Sequence, residues 1–269
     1  MVENNAAVEE ILKKVLNKIE SNEAKETTSG GTSKMNEKHC GLTEFVGASA
    51  FGDTIGLVIA NVDSALLDTM KLEKKYRSIG IVGARTGAGP HILAADEAVK
   101  GTNTEVISIE MPRDTKGGAG HGSLIIFGGD DVSDVKRAVE VTLKEVDTRT
   151  FGDVYANEAG HIECQYTARA SYACNKVFGT PIGKSFGLIV GAPAAIGVVM
   201  ADTAMKAANI EVVSYATPQN GQNFSNEVTM TFSGDSGAVR QAVISAREIG
   251  IKLLGTLGSE PTNDQPSYI

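Results

Sequence analysis

The sequence predicts an α/β fold, an α+β sandwich built twice in tandem, and two observations predict it. The first is an internal repeat: Ala95-Asp96-Glu97-Ala98-Val99-Lys100, Asn103 and Glu105-Val106-Ile107-Ser108 return about 106 residues later as Ala201-Asp202-Thr203-Ala204-Met205-Lys206, Asn209 and Glu211-Val212-Val213-Ser214. The echo extends upstream, where Ser78-Ile79-Gly80 answers Ser185-Phe186-Gly187, and downstream, where Gly129-Asp130 answers Gly234-Asp235. The second is that strand-like apolar runs alternate with helix-like periodicity in the same order within each copy. A repeat this long exceeds the roughly 20–50 residues of solenoid units, so each copy is a domain with its own core.

Taken in order, residues 6–20 place Val8, Ile11, Leu12, Val15, Leu16 and Ile19 on one helical stripe, with Glu9, Glu10, Lys13, Lys14 and Lys18 around the rest of the wheel. That is an amphipathic helix. Residues 21–38 are polar and nearly free of apolar side chains, which suits a flexible tether, so residues 1–40 read as a helix plus linker. Its apolar stripe either packs back on its own domain or, as the detaching linker favours, docks on another protein. The first domain spans 41–150, the second 151–258, and 259–269 is a C-terminal tail. In the first copy 79–84 is a strand, 90–101 a helix, 105–109 a strand, 112–122 a glycine-rich loop, 123–127 a strand and 131–146 a second helix. Extra strand-like sequence precedes each copy, at 44–48 and 54–59 in the first and at 162–168 in the second. Asp130 and Asp235, each after a glycine, sit where the second helix needs an N-cap.

Formal charge is −8, from 25 Lys and Arg against 33 Asp and Glu, and no basic run is present. Nucleic acid is therefore not an expected partner. No apolar stretch is long enough to span a bilayer, so no membrane is expected either. Cys40, Cys164 and Cys174 show neither disulfide nor zinc spacing, and are expected as small buried filler with no metal or other cofactor.

Two catalytic motifs are nearly present. Gly83-Ala84-Arg85-Thr86-Gly87-Ala88-Gly89 follows a strand and opens a helix, with Glu110 ending the next strand, in the outline of a dinucleotide-binding turn. The second copy breaks it with Gly191-Ala192-Pro193-Ala194-Ala195-Ile196-Gly197. A Tyr172-x-x-x-Lys176 pair follows too soon for a short-chain dehydrogenase. No G-x-S-x-G elbow exists, and His39, His91, His121 and His161 read as loop residues, solvated or structural. Asp130-Asp131 is sufficiently explained as a helix cap. No catalytic residues are expected and the chain reads as no enzyme; the rival class is a cytosolic ligand-binding regulator or oxidoreductase with duplicated α/β domains.

Read together, the A-D-x-A-x-K-x-x-N helix end, the E-V-x-S strand, the Pro112-Arg113-Asp114-Thr115-Lys116-Gly117-Gly118-Ala119-Gly120-His121-Gly122 loop and the G-D-x-x-x-V-[KR]-x-A-V helix start resemble the bacterial microcompartment shell domain, over both copies from about residue 41 to 258. The strands ahead of each copy make it similar to the circularly permuted, tandem-domain type. The resemblance implies a homotrimer imitating a hexamer, a pseudohexameric tile in the protein shell around metabolic enzymes, located in a cytoplasmic microcompartment. The likeness is greatest to propanediol-utilisation compartments, with ethanol-utilisation compartments open as the alternative.

Further roles follow from that resemblance. Loops 112–122 and 217–226 would ring the tile's axis, with Lys116, Gly117, Gly118 and His121 alternating with Asn220, Gly221, Gln222 and Asn223 around a pore for small polar molecules. Lys100 and Lys206 match tile-edge lysines. Other shell proteins would be partners at that edge, encapsulated enzymes would be partners through residues 6–20, and small diols or glycerol would be ligands. Asp53, Glu110 and Glu163, carboxylates beside apolar or glycine-rich sequence, are the substrate-binding candidates.

Overall fold

The computed structural model describes residues 41–113, 120–220 and 225–269, all within one compact unit, Met35–Ile269. The expected helix at 6–20, its linker, Cys40, and the loop residues Lys116, Gly117, Gly118, Gly221, Gln222 and Asn223 lie outside the described residues.

The first copy consists of β1 (Phe45–Ser49), β2 (Thr54–Ile59), α1 (Ser64–Thr69), β3 (Ser78–Ala84), α2 (Ala88–Lys100), β4 (Glu105–Glu110), β5 (Ser123–Gly129) and α3 (Val132–Glu145). The second repeats it as β6 (Val154–Asn157), β7 (Gly160–Thr167), α4 (Tyr172–Phe178), β8 (Ser185–Ala192), α5 (Ala194–Ala207), β9 (Ile210–Ala216), β10 (Val228–Gly234) and α6 (Ser236–Leu254). Each copy has a five-stranded sheet of one topology, β1-β2-β3-β5-β4 and β6-β7-β8-β10-β9, with every pairing antiparallel. The permuting strands are thus β1–β2 and β6–β7. Of these, β6 is the one that pattern reading does not find, since four residues give too little periodicity.

Repeated sequence produces repeated detail. The E-V-x-S strands bulge at the same place: the β4–β5 register shifts between Val106 and Ser108, and the β9–β10 register between Val212 and Ser214, leaving Ile107 and Val213 as the extra residues. Asp235 caps α6 through Gly237 N and Ala238 N. In the first copy the cap is Asp131, which accepts from Ser133 N at 2.8 Å, and not Asp130. The helix there begins one residue later than the expectation. The dinucleotide outline also fails on topology, because β3 is antiparallel to both its neighbours and no parallel βαβ unit exists among the described residues. Gly87 instead supplies a left-handed cap, φ 81°, to α2, and a Cβ there would strike the Phe151 ring.

The first core cluster joins the two copies. Ile92, Leu93 and Val99 of α2 pack with Ala173 and Cys174 of α4 and with Phe186, Leu188 and Val190 of β8. A second cluster joins Ile162 and Cys164 of β7 to Met200 of α5 and Val239, Val243 and Ala246 of α6. Cys164 and Cys174 are buried and free. Among the described residues no helix is long and apolar enough to cross a membrane, and no group of three or more His, Cys, Asp or Glu could hold a metal.

Candidate functional site

The site grows from the way α2 is wedged against the second copy. Asp96, fully buried on α2, accepts backbone N–H bonds from Ser171 at 2.8 Å and Cys174 at 3.1 Å, and Lys100 Nζ lies 3.1 Å from it. Ser171 offers its helix no side-chain cap, so the first copy caps α4 of the second. The matching face of α5 has no such partner among the described residues. Ile92, Leu93 and Val99 are at most 8% exposed, whereas their counterparts Val198, Val199 and Met205 are 41–56% exposed, and Asp202 pairs with the exposed Lys206 at 2.7 Å. In the first copy Ile55 of β2 and Leu66 of α1 are also exposed.

Above the wedge lies a cavity of about 360 Å³ between the copies. Residues i and i+2 of a strand share a face: Glu163 of β7 and its β8 partner Val190 line this cavity, while His161 and its partner Ala192, two residues away, line a neighbouring one. Glu163 is 3% exposed, and its carboxyl rests on the backbone of Gly89 at the start of α2, where any Cβ would overlap it. Burial, reinforced by the nearby Glu227 charge, pushes the Glu163 carboxyl up to about 8, against a smaller opposing pull from the Gly89 N–H. At neutral pH it is chiefly a carboxylic acid, both donor and acceptor.

Glu227, just before β10, is its opposite. Burial alone would raise its carboxyl, but His121 and His161 more than offset that and hold it down at about 2. His121 Nδ1 is 3.0 Å from Glu227 Oε1 and His161 Nε2 is 3.5 Å from Oε2. Phe178, Leu188 and Val190 form an apolar wall, and Ser214 and Thr229 add polar lining. A neutral acid, an ionised acid and an apolar wall suit a small uncharged molecule bearing hydroxyls and a short hydrocarbon.

Of the sequence candidates, Glu163 lines this cavity, while Asp53 and Glu110 are exposed and do not. His121 enters it from the end of the first loop; Asn220 is exposed in the second loop, its backbone N–H bonded to Thr217 Oγ1 at 3.0 Å. Lys100 bonds Glu97 and Asp96, and Lys206 bonds Asp202 with its side chain 75% exposed. The histidines correct the loop reading. His91 is buried in α2, its Nε2 2.6 Å from Thr54 Oγ1, and burial pushes it down to about 4; His161 is buried in β7. Histidine tolerates such sites as a neutral ring with a partner, and a lone His gives no periodic signal of burial. Glu227 was missed altogether, and only its place at the second loop's end, level with Gly122, could have pointed to it.

The sequence matches the BMC domain family twice, over residues 78–158 and 185–260. It is 77% identical over 235 residues to the bacterial microcompartment shell protein PduB of Citrobacter freundii, covering 87% of this chain and 86% of that one. A crystal structure of a trimeric microcompartment shell protein PduB aligns with TM-score 0.82 at 56% identity, over 85% of this chain and all of the other. EtuB from Clostridium kluyveri aligns with TM-score 0.80 at 52% identity, over 84% of this chain and 99% of that one.

Proposed function

Because the chain belongs to the BMC-domain family and is a structural shell protein of a bacterial microcompartment, we propose that three copies close into a pseudohexameric facet tile of a propanediol-type compartment. The observation that carries the ring is the half-filled interface: α5 repeats the residues that α2 buries within the chain, and leaves them open. A surface of one end complementary to the other end makes a head-to-tail contact, which closes into a ring when the rotation permits; the number three rests on the trimeric relative. In the ring α5 of one copy covers the Ile55 and Leu66 face of the next, and Asp202 approaches its α1.

In this reading the loops 112–122 and 217–226 surround the axis, Lys206 meets the neighbouring tile together with Lys100, and the segment 6–20 holds enclosed enzymes. The cavity at Glu163 takes a small diol or glycerol, its apolar wall accepting the hydrocarbon side. The role is structural and permeative, not catalytic. Solution mass with electron microscopy tests the tile. Wild type is expected as a trimer that forms sheets, and Val198→Glu with Met205→Glu as a folded monomer. A double variant that remains trimeric removes the interface. Crystals soaked in propanediol test the cavity, and ligand found only on unrelated surfaces removes that reading.

A further inference from the structure

The last residues of the chain fill a polar socket that lies across both copies. Ser267 Oγ donates to Asp153 Oδ1 at 2.7 Å, Tyr268 N donates to Asp153 Oδ2 at 3.0 Å, and the Tyr268 hydroxyl donates to Gln165 Oε1 at 2.8 Å. Asp153 and Gln165 are fully buried, and Asp153 is paired with Arg247. Just upstream, Gln265 Nε2 donates to Val146 O at 2.7 Å and its Oε1 accepts from Phe151 N at 3.2 Å, so the tail also grips the connection between the copies. The fold itself does not demand such a socket. In the first copy Leu57 and Leu143 stand where the second has Gln165 and Arg247, and that copy closes by apolar packing. Buried polar groups are unfavourable unless they are bonded, and here the tail bonds them.

Tyr268 acts beyond its own socket. Its ring packs against both core clusters, and the Arg149 guanidinium lies over its face, 5.2 Å from the centroid. Arg149, in the turn that follows α3, holds Glu145 at 2.6 Å and approaches Glu97 of α2 at 3.8 Å. Glu97 in turn bonds Lys100 at 2.8 Å, and Lys100 is the cation that pairs the buried Asp96 at 3.1 Å. Lys100 is therefore shared by two carboxylates, of which Asp96 is sealed from water and Glu97 is not. With Arg149 beside it, Glu97 has a second cation and Lys100 is left to Asp96. Without Arg149, Glu97 draws on Lys100 alone, and the buried carboxylate that joins α2 to α4 loses part of its compensation.

We propose that the C-terminal tail is a strap that locks the junction between the two copies: Tyr268 holds Arg149, Arg149 holds Glu97, and Lys100 is thereby kept on Asp96. Drawing the tail out of its socket then loosens α4 at Ser171 N and Cys174 N, which bond Asp96 and not the tail. Such coupling needs a connected set of contacts and a measured dependence of one on another. The distances supply the first, and Glu97 is the residue through which the second can be tested.

Amide hydrogen exchange on the full-length protein tests the strap, with Tyr268→Leu, which keeps an apolar side chain in place but removes the ring face and the hydroxyl. Exchange at Ser171 and Cys174 should become about two- to five-fold faster, the scale of one cation–π contact. The amides of β3, whose Ile79 packs in a cluster of the first copy alone, should keep their rates. In Glu97→Gln, where no second carboxylate competes for Lys100, adding Tyr268→Leu should leave Ser171 and Cys174 unchanged. Unaltered exchange at those two amides in the single variant overturns the strap. So does an equal acceleration with and without the Glu97 carboxylate, or one that extends to β3, which is general destabilisation. Should Tyr268→Leu fail to fold, Arg149→Met, alone and with Glu97→Gln, is read by the same outcomes.

Discussion

Glu163→Gln tests whether the buried carboxyl is held as an acid. Its titration lies near 8 in the folded chain, because burial comes first and Glu227 second, against 4.5 for the ordinary group. The folded state therefore binds more protons than the unfolded state between those values, and stability falls as pH rises through that window. At about 1.4 kcal/mol per pH unit, the interval from pH 5.5 to 8 costs the wild type about 3 kcal/mol through this group. Glutamine has nearly the same shape, donates and accepts, and does not titrate. The difference in unfolding free energy between variant and wild type, from urea melts at pH 5.5, 6.5, 7.25 and 8, should grow by about 3 kcal/mol in favour of the variant. Taking the difference cancels the titration of groups that do not face Glu163. Glu227, His121 and His161 do face it, and Glu227 stays ionised throughout because it titrates near 2. Parallel curves for the two proteins would refute a neutral Glu163.

Asp96→Ala should cost about 3–5 kcal/mol, since it strands the buried N–H groups of Ser171 and Cys174, whereas Asp202→Ala in an isolated chain should stay within about 0.5 kcal/mol; thermal melts compare them. Asp153→Asn should loosen the chain end. Its carboxylate accepts from Arg247, from Ser267 Oγ at 2.7 Å and from Tyr268 N at 3.0 Å, and breaking such a buried pair costs about 3 kcal/mol, read as faster amide exchange at Tyr268. Lowering pH from 4.5 towards 2 should remove the stabilisation that the histidines give Glu227, because a depressed carboxylate loses its contribution as it protonates; Glu227→Gln should show a flatter acid limb. Lys206→Glu should leave the trimer intact and weaken sheet assembly, seen by electron microscopy, because its side chain is exposed.

Local structure was legible because it depends on local sequence. The duplicated strings give duplicated strands, helices and even the same bulge at Ile107 and Val213, and Asp235 announces its helix by chemistry that needs only its own neighbours. The apolar pattern likewise marks the main strands and the two long helices of each copy, but not the four-residue β6 or the short helices α1 and α4, and it places one cap a residue early. Tertiary structure decided which of two equivalent residues is buried. Asp96 and Asp202 stand in the same motif on the same kind of helix, yet one is sealed beneath the second copy and the other faces outward. The same holds for the cavity: Glu163 becomes an acid near 8 because it is buried, in a place left open by the missing side chain of Gly89 far away in sequence, and because Glu227 lies close by. Burial and charge are properties of what comes to lie against a residue, and a helix or strand does not carry that information in its own sequence.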